Sequence, residues 1–204
     1  MKYISVFFLF IIPMALHASS NIIIEGIDPS DIVQTLDFKG PSEYRTTAAI
    51  VKRKDENGYN NVNLLILSTD KKTGKTSIVV ENPDVGLNDG SGMIEQSQLA
   101  TNKNGSLQII NKNSSVGRDR YEETLTIVYR DNTYIVAGIT IYYNDTAVLS
   151  EENCDYNLLS GKTINSYSLE GKVIKNNINR YVLPQKIELK NFNTSTKLNA
   201  CKFI

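Results

Sequence analysis

The sequence predicts a mainly β fold, a single antiparallel stack of sheets in the form of a sandwich, a barrel or a propeller-like array, with one short N-terminal helix. Three observations predict it. From residue 44 onward, short apolar runs alternate with clusters of Asn, Asp, Gly and Ser, the punctuation of strands and turns. One pair of runs, 121–143, keeps a two-residue hydrophobic period on both sides of a turn. A helix start followed by a matching apolar stripe occurs once, after Asp28.

The first residues have the order of a secretory signal peptide. Lys2 supplies the positive charge, residues 4–16 are apolar and uncharged, and Leu16-His17-Ala18 offers a small residue at the cut before Ser19-Ser20. The apolar run is shorter than the roughly 20 residues a membrane-spanning helix needs, and Pro13 interrupts it. The expected division is therefore 1–18 as signal and 19–204 as one mostly β domain without a membrane anchor. The expected location is the periplasm, with secretion to the outside as the alternative. No cysteine lies near the cut to carry a lipid.

After the signal, Ile22-Ile23-Ile24 reads as a short β run. Asp28 can cap a helix with Pro29 at its first position and Asp31 at the positive end of its dipole. Ile32, Val33 and Leu36 then form one stripe, and Gly40-Pro41 ends it. Strands follow at 44–53 and 61–68. Leu64-Leu65-Ile66-Leu67 is apolar on both faces, so this strand is predicted to be central and buried. Thr73-Gly74-Lys75 turns the chain into Ser77-Ile78-Val79-Val80. A long polar loop over 82–101 comes next, and Leu107-Gln108-Ile109-Ile110 resumes the strands.

In the hairpin 121–143, Leu125, Ile127 and Tyr129 share a face, Asp131-Asn132 turns the chain, and Ile135, Ala137, Ile139 and Ile141 line one face of the return. Further β runs are expected at 157–159, 162–169 and 181–189, separated at Ser160-Gly161 and Glu170-Gly171. No segment repeats at a fixed period.

Composition removes several chemistries. Lys and Arg total 22 against 22 Asp and Glu, so loss of Lys2 with the signal leaves a mature chain with about one negative charge. That balance does not suit a nucleic-acid binder, which needs a basic excess to meet phosphates. The only histidine, His17, lies in the signal, so the mature chain lacks imidazole for acid–base work, nucleophile activation or metal binding. Cys154 and Cys201 are the only cysteines. In an oxidising compartment the pair reads as a structural disulfide, worth about 4 kcal/mol in the chain-entropy model. No catalytic residue, metal ligand or cofactor is assigned. Adjacent carboxylates such as Glu122-Glu123 and Glu151-Glu152 point to opposite faces of a strand, and no tryptophan offers a sugar platform.

Two loops combine oxygen side chains with glycine. The loop around Asp84, Gly86, Asn88, Asp89, Gly90 and Gly92 lacks the spacing of a known calcium ladder. Asp55-Glu56-Asn57-Gly58-Tyr59 leads into the apolar strand 64–67, an order that resembles the loop-then-strand of FG-GAP and VCBS-type repeats in exported bacterial proteins. Asp55 and Asn57 match that pattern, Tyr59 stands at the third ligand position, and Gly58 is out of phase. The likeness runs on through Tyr129-Arg130-Asp131 to residues 155–162, and is shared with a diffuse group of small, uncharacterised exported proteins. It implies an all-β fold and a periplasmic setting, and no activity; calcium binding by either loop stays open.

Tyr129, Tyr134, Tyr142 and Tyr143 crowd one hairpin. Tyrosine suits sheets in general, and it is also enriched at protein interfaces. Tyr134 and Tyr142 fall on the face opposite Ile135 and Ile141, which makes them the candidates for exposure and partner contact. The expected function is non-catalytic protein binding in the periplasm, as an inhibitor or immunity protein against a toxin acting there. The alternatives are a structural component of the envelope or surface, and a carboxylate-based hydrolase.

Overall fold

A computed structural model of the chain describes residues 24–54, 60–83, 85, 96–113, 118–179 and 185–193. They form a mainly β structure of two antiparallel sheets with no closed barrel, so the sandwich is the member of the expected set that fits.

The first sheet is a four-stranded meander: β1 (Ile32–Phe38), β2 (Tyr44–Lys54), β3 (Asn60–Asp70) and β4 (Thr76–Asn82). The second runs in sequence order through β5 (Gln96–Thr101), β6 (Leu107–Asn113), β7 (Asp119–Arg130), β8 (Thr133–Asp145), β9 (Ser150–Asn157), β10 (Lys162–Leu169) and β11 (Lys172–Asn179). A two-residue strand, β12 (Ile187–Glu188), pairs with the start of β8 at Ile135 and Val136.

The expected helix is a single 3-10 turn, Pro29–Asp31. Asp28 does cap it, accepting from the Ser30 amide at 2.9 Å, but the chain then extends as β1. Ile32, Val33 and Leu36 are strand residues. The β-branched Ile32, Val33 and Thr35 resist a helix, and β2 offers the segment a ladder, broken by one irregularity at Val33 and regular from Gln34 to Phe38. The polar stretch before Thr101 also holds a strand, β5, in place of an uninterrupted loop. Near the C-terminal end, residues 158–159 are a turn and β9 lies just before them.

β3 is central, as its apolar run predicts. Leu64 and Ile66 face the second sheet, joining Ala48, Ile50, Leu107, Ile109, Leu125, Ile127, Ile139 and Tyr156 in the main core. Leu65 and Leu67 face the other way, under a smaller cluster with Ala49, Val51 and Ile24, packed by Ile27 and Ile32. Each fully buried Leu or Ile contributes roughly 1.5–3 kcal/mol of transfer free energy, so a strand buried on both faces anchors the first sheet.

The sandwich is held at both sides. Between the edge strands β1 and β5, the Gln34 amide bonds the backbone of Leu99 twice, donating to its carbonyl at 3.2 Å and accepting from its N–H at 2.9 Å. At the far side, Asn82 at the end of β4 donates to the carbonyls of Leu189 and Phe192, whose side chains are buried in the core. Unpaired strand edges invite other chains, and the Gln34 contact occupies the Leu99 backbone on one of them.

Candidate functional site

Register in the second sheet decides which side chains can act together. The β7–β8 turn has both central residues in the left-handed region, Asp131 at φ 51° and Asn132 at φ 60°, the type I′ geometry that suits a two-residue hairpin. Pairing runs regularly from Arg130↔Thr133 to Ile127↔Val136, then Thr126 pairs with Gly138, so Ala137 is an extra residue, a β-bulge. At this point β8 changes neighbours: β12 pairs with residues 135–136 and β9 from Gly138 onward. Gly138 suits the junction, since a Cβ there would stand 3.3 Å from the Tyr156 carbonyl oxygen.

The bulge inverts one half of β8 relative to a continuous alternation. Ile139 and Ile141 face the core as expected, but before the bulge the core face belongs to Tyr134 and Val136. Tyr134 is therefore not exposed. It retains 5% of its accessible surface, its ring lies 5.0 Å from that of Tyr129 and 5.9 Å from that of Phe38, and burial raises its hydroxyl pKa. It is a core residue, and its expected role as a partner contact fails on burial. Tyr142 does lie on the outer face, half-buried, with its hydroxyl accepting from the Asn144 amide at 3.1 Å.

The bulge also shifts partners. Counting from the turn without it sets Tyr121 opposite Tyr142; with it, Tyr121 pairs with Tyr143. Directly opposed residues share a face, and the register then carries one row across five strands. Tyr121 on β7 pairs with Tyr143 on β8, Tyr143 with Glu152 on β9, Glu152 with Tyr167 on β10, and Tyr167 with Lys175 on β11. The row sits on the inner face, the same face as Leu125 and Ile139, one row beyond buried Glu123 and Cys154. Its three tyrosines and Glu152 are half-buried and Lys175 is exposed.

The electrostatics of the row are uneven. The Tyr121 hydroxyl donates to Glu123 at 2.8 Å, and burial beside that carboxylate raises its pKa well above the usual phenol range. Tyr143 donates to Asp119, which raises its pKa as well. Glu152 meets no cation among the described residues, and desolvation lifts its pKa above the ordinary carboxylate value. At the end of the same face Asp145 accepts from Arg118 and from the amides of Ala147 and Val148, which lower its pKa to about 2.

The row is not visible as a unit in the sequence because Glu152 and Tyr167 sit in strands of polar residues. The adjacent acids do point apart: Glu123 and Glu152 face inward while Glu122 and Glu151 pair across the outer face with Tyr142 and Asn144. Cys154 is fully buried on β9, and no described cysteine is free. Cys201, the loop at Asp55, and Asp84 with the glycines after it lie outside the described residues. Among the described residues, no group of three His, Cys, Asp or Glu side chains could hold a metal ion. Comparison with protein-family models, with curated proteins and with solved structures finds no match for this chain.

Proposed function

We propose that this chain is a non-catalytic, exported protein-binding domain and that its contact surface is the Tyr121–Tyr143–Glu152–Tyr167 row. The observation that supports it is the row itself. Three tyrosines stand in register on a rigid sheet, half-buried, where a large ring gives contact area at little cost in conformational entropy. An inhibitor or immunity protein for a toxin acting in the periplasm is the role of this kind that suits an exported chain with no histidine after its signal. Export, removal of residues 1–18, and a bridge from Cys154 to Cys201 belong to the same proposal. Among the described residues, no helix is long and apolar enough to cross a membrane.

Quantitative capture from envelope extract tests the reading. Wild-type protein should enrich a specific partner, Tyr143→Ala and Tyr167→Ala should each lose most of it, and Tyr142→Ala on the outer face should retain it. Equal capture by the wild type and both row variants, with melting curves unchanged, overturns the assignment.

A further inference from the structure

Glu152 lies on the strand between Tyr143 and Tyr167, its carboxylate on the same face as both rings. It is half-buried, and no salt bridge or hydrogen bond engages it among the described residues. Neighbouring carboxylates are accounted for differently: Asp145 is held by Arg118 and Asp119 receives the Tyr143 hydroxyl. Lys175 is the cation of the row, yet it stands opposite Tyr167, two strands from Glu152, and leaves the carboxylate unmatched.

A partly desolvated carboxylate without a counter-charge is a costly arrangement for a free domain. The same arrangement gains when a cation arrives, because the ion finds a carboxylate in a setting of lowered dielectric and aromatic rings on either side. We propose that the row takes a cationic side chain, an arginine or a lysine, from the protein it contacts, with Glu152 as the counter-charge and Tyr143 and Tyr167 as the flanking rings. The inference rests on the protein-contact reading and adds the chemistry of the partner. It also assigns Lys175 a selective role: an exposed cation at the end of the row disfavours a second positive charge there, so the partner's cation is directed to the Glu152 position.

The test uses the mature protein with 13C-labelled tyrosine rings, titrated with N-acetylarginine amide and with its uncharged isostere N-acetylcitrulline amide. The arginine compound should shift the ring signals of Tyr143 and Tyr167 and leave Tyr142 unmoved, with the citrulline compound roughly fivefold weaker. Glu152→Gln should bring the arginine response down to the citrulline level, and Glu152→Asp should keep part of it; the amide spectrum shows for each variant whether the fold is intact. Equal responses to the two compounds, no response of either ring, or a response indifferent to Glu152→Gln in a folded protein each overturns the inference. Crosslinking from position 143 to a partner reads the protein contact independently of charge. An adduct without an arginine response therefore sinks this inference alone, while absence of both sinks the contact surface with it.

Discussion

Asp145 shows how one side chain can organise a sheet end. Its carboxylate accepts from the Arg118 guanidinium and from two backbone amides, closing the turn from β8 to β9 and tying it to the start of β7. These contacts favour the ionised form and lower its pKa from 3.8 to about 2. A depressed folded value means that the group contributes stability above its unfolded pKa, and that the contribution is lost as pH falls through the folded value. Asp145→Asn should therefore lower the thermal midpoint at neutral pH and flatten its dependence between the two values. Melting curves of both proteins across that window check this, and parallel curves would contradict it. Tyr134 makes the complementary case. Its ring is packed against Tyr129 and Phe38, so Tyr134→Ala should cost about 3 kcal/mol of stability, in the range of large-to-small core changes. Urea unfolding checks it, with partner capture by the folded fraction unchanged.

At the scale of elements, Gln34 replaces a missing strand neighbour with a side-chain amide. Gln34→Leu keeps the volume and removes both hydrogen bonds to Leu99, whose backbone groups lie at a sheet edge. The loss should be about 2 kcal/mol, the penalty of partly buried groups left unpaired. The Leu99 amide should exchange its hydrogen faster than amides of β3, and unchanged protection at Leu99 would remove the clasp from the account. The legibility of each element depends on how its pattern is encoded. β3 is readable because apolar residues fill both faces, and the β7–β8 turn because Asp131-Asn132 tolerates left-handed backbone. β5 is hidden because Leu99 is its one residue in the main core, and β9 because Ser150, Glu152 and Cys154 carry the inward face in place of aliphatics. The cap signals after Asp28 are real, but they describe one turn, and pairing with β2 sets the extended conformation of the residues beyond it. The bulge at Ala137 leaves no mark in hydrophobic periodicity, yet it places Tyr134 in the core and sets Tyr121 beside Tyr143.

At the scale of the whole molecule, a sandwich covers the apolar part of the second sheet and its inner face continues past the core as the tyrosine row. The proposed Cys154–Cys201 bridge would attach to buried β9 on the same inner face, one row from the tyrosines. Replacing both cysteines by serine should lower stability by about 4 kcal/mol through the lost bridge without removing the fold, since the β2–β3, β6–β7 and β7–β8 pairings do not include Cys154. Peptide mapping without reduction should show the linked pair, and two titratable thiols in the native protein would contradict it. Occupation of the inner-face row by another protein can be read by site-specific photocrosslinking in living cells. Benzoylphenylalanine would replace Tyr143 or Tyr167 on the inner face, and Tyr142 or Asn153 on the outer. Positions 143 and 167 should give one discrete adduct, and positions 142 and 153 none. An adduct confined to the outer positions, or none from any of the four, contradicts it.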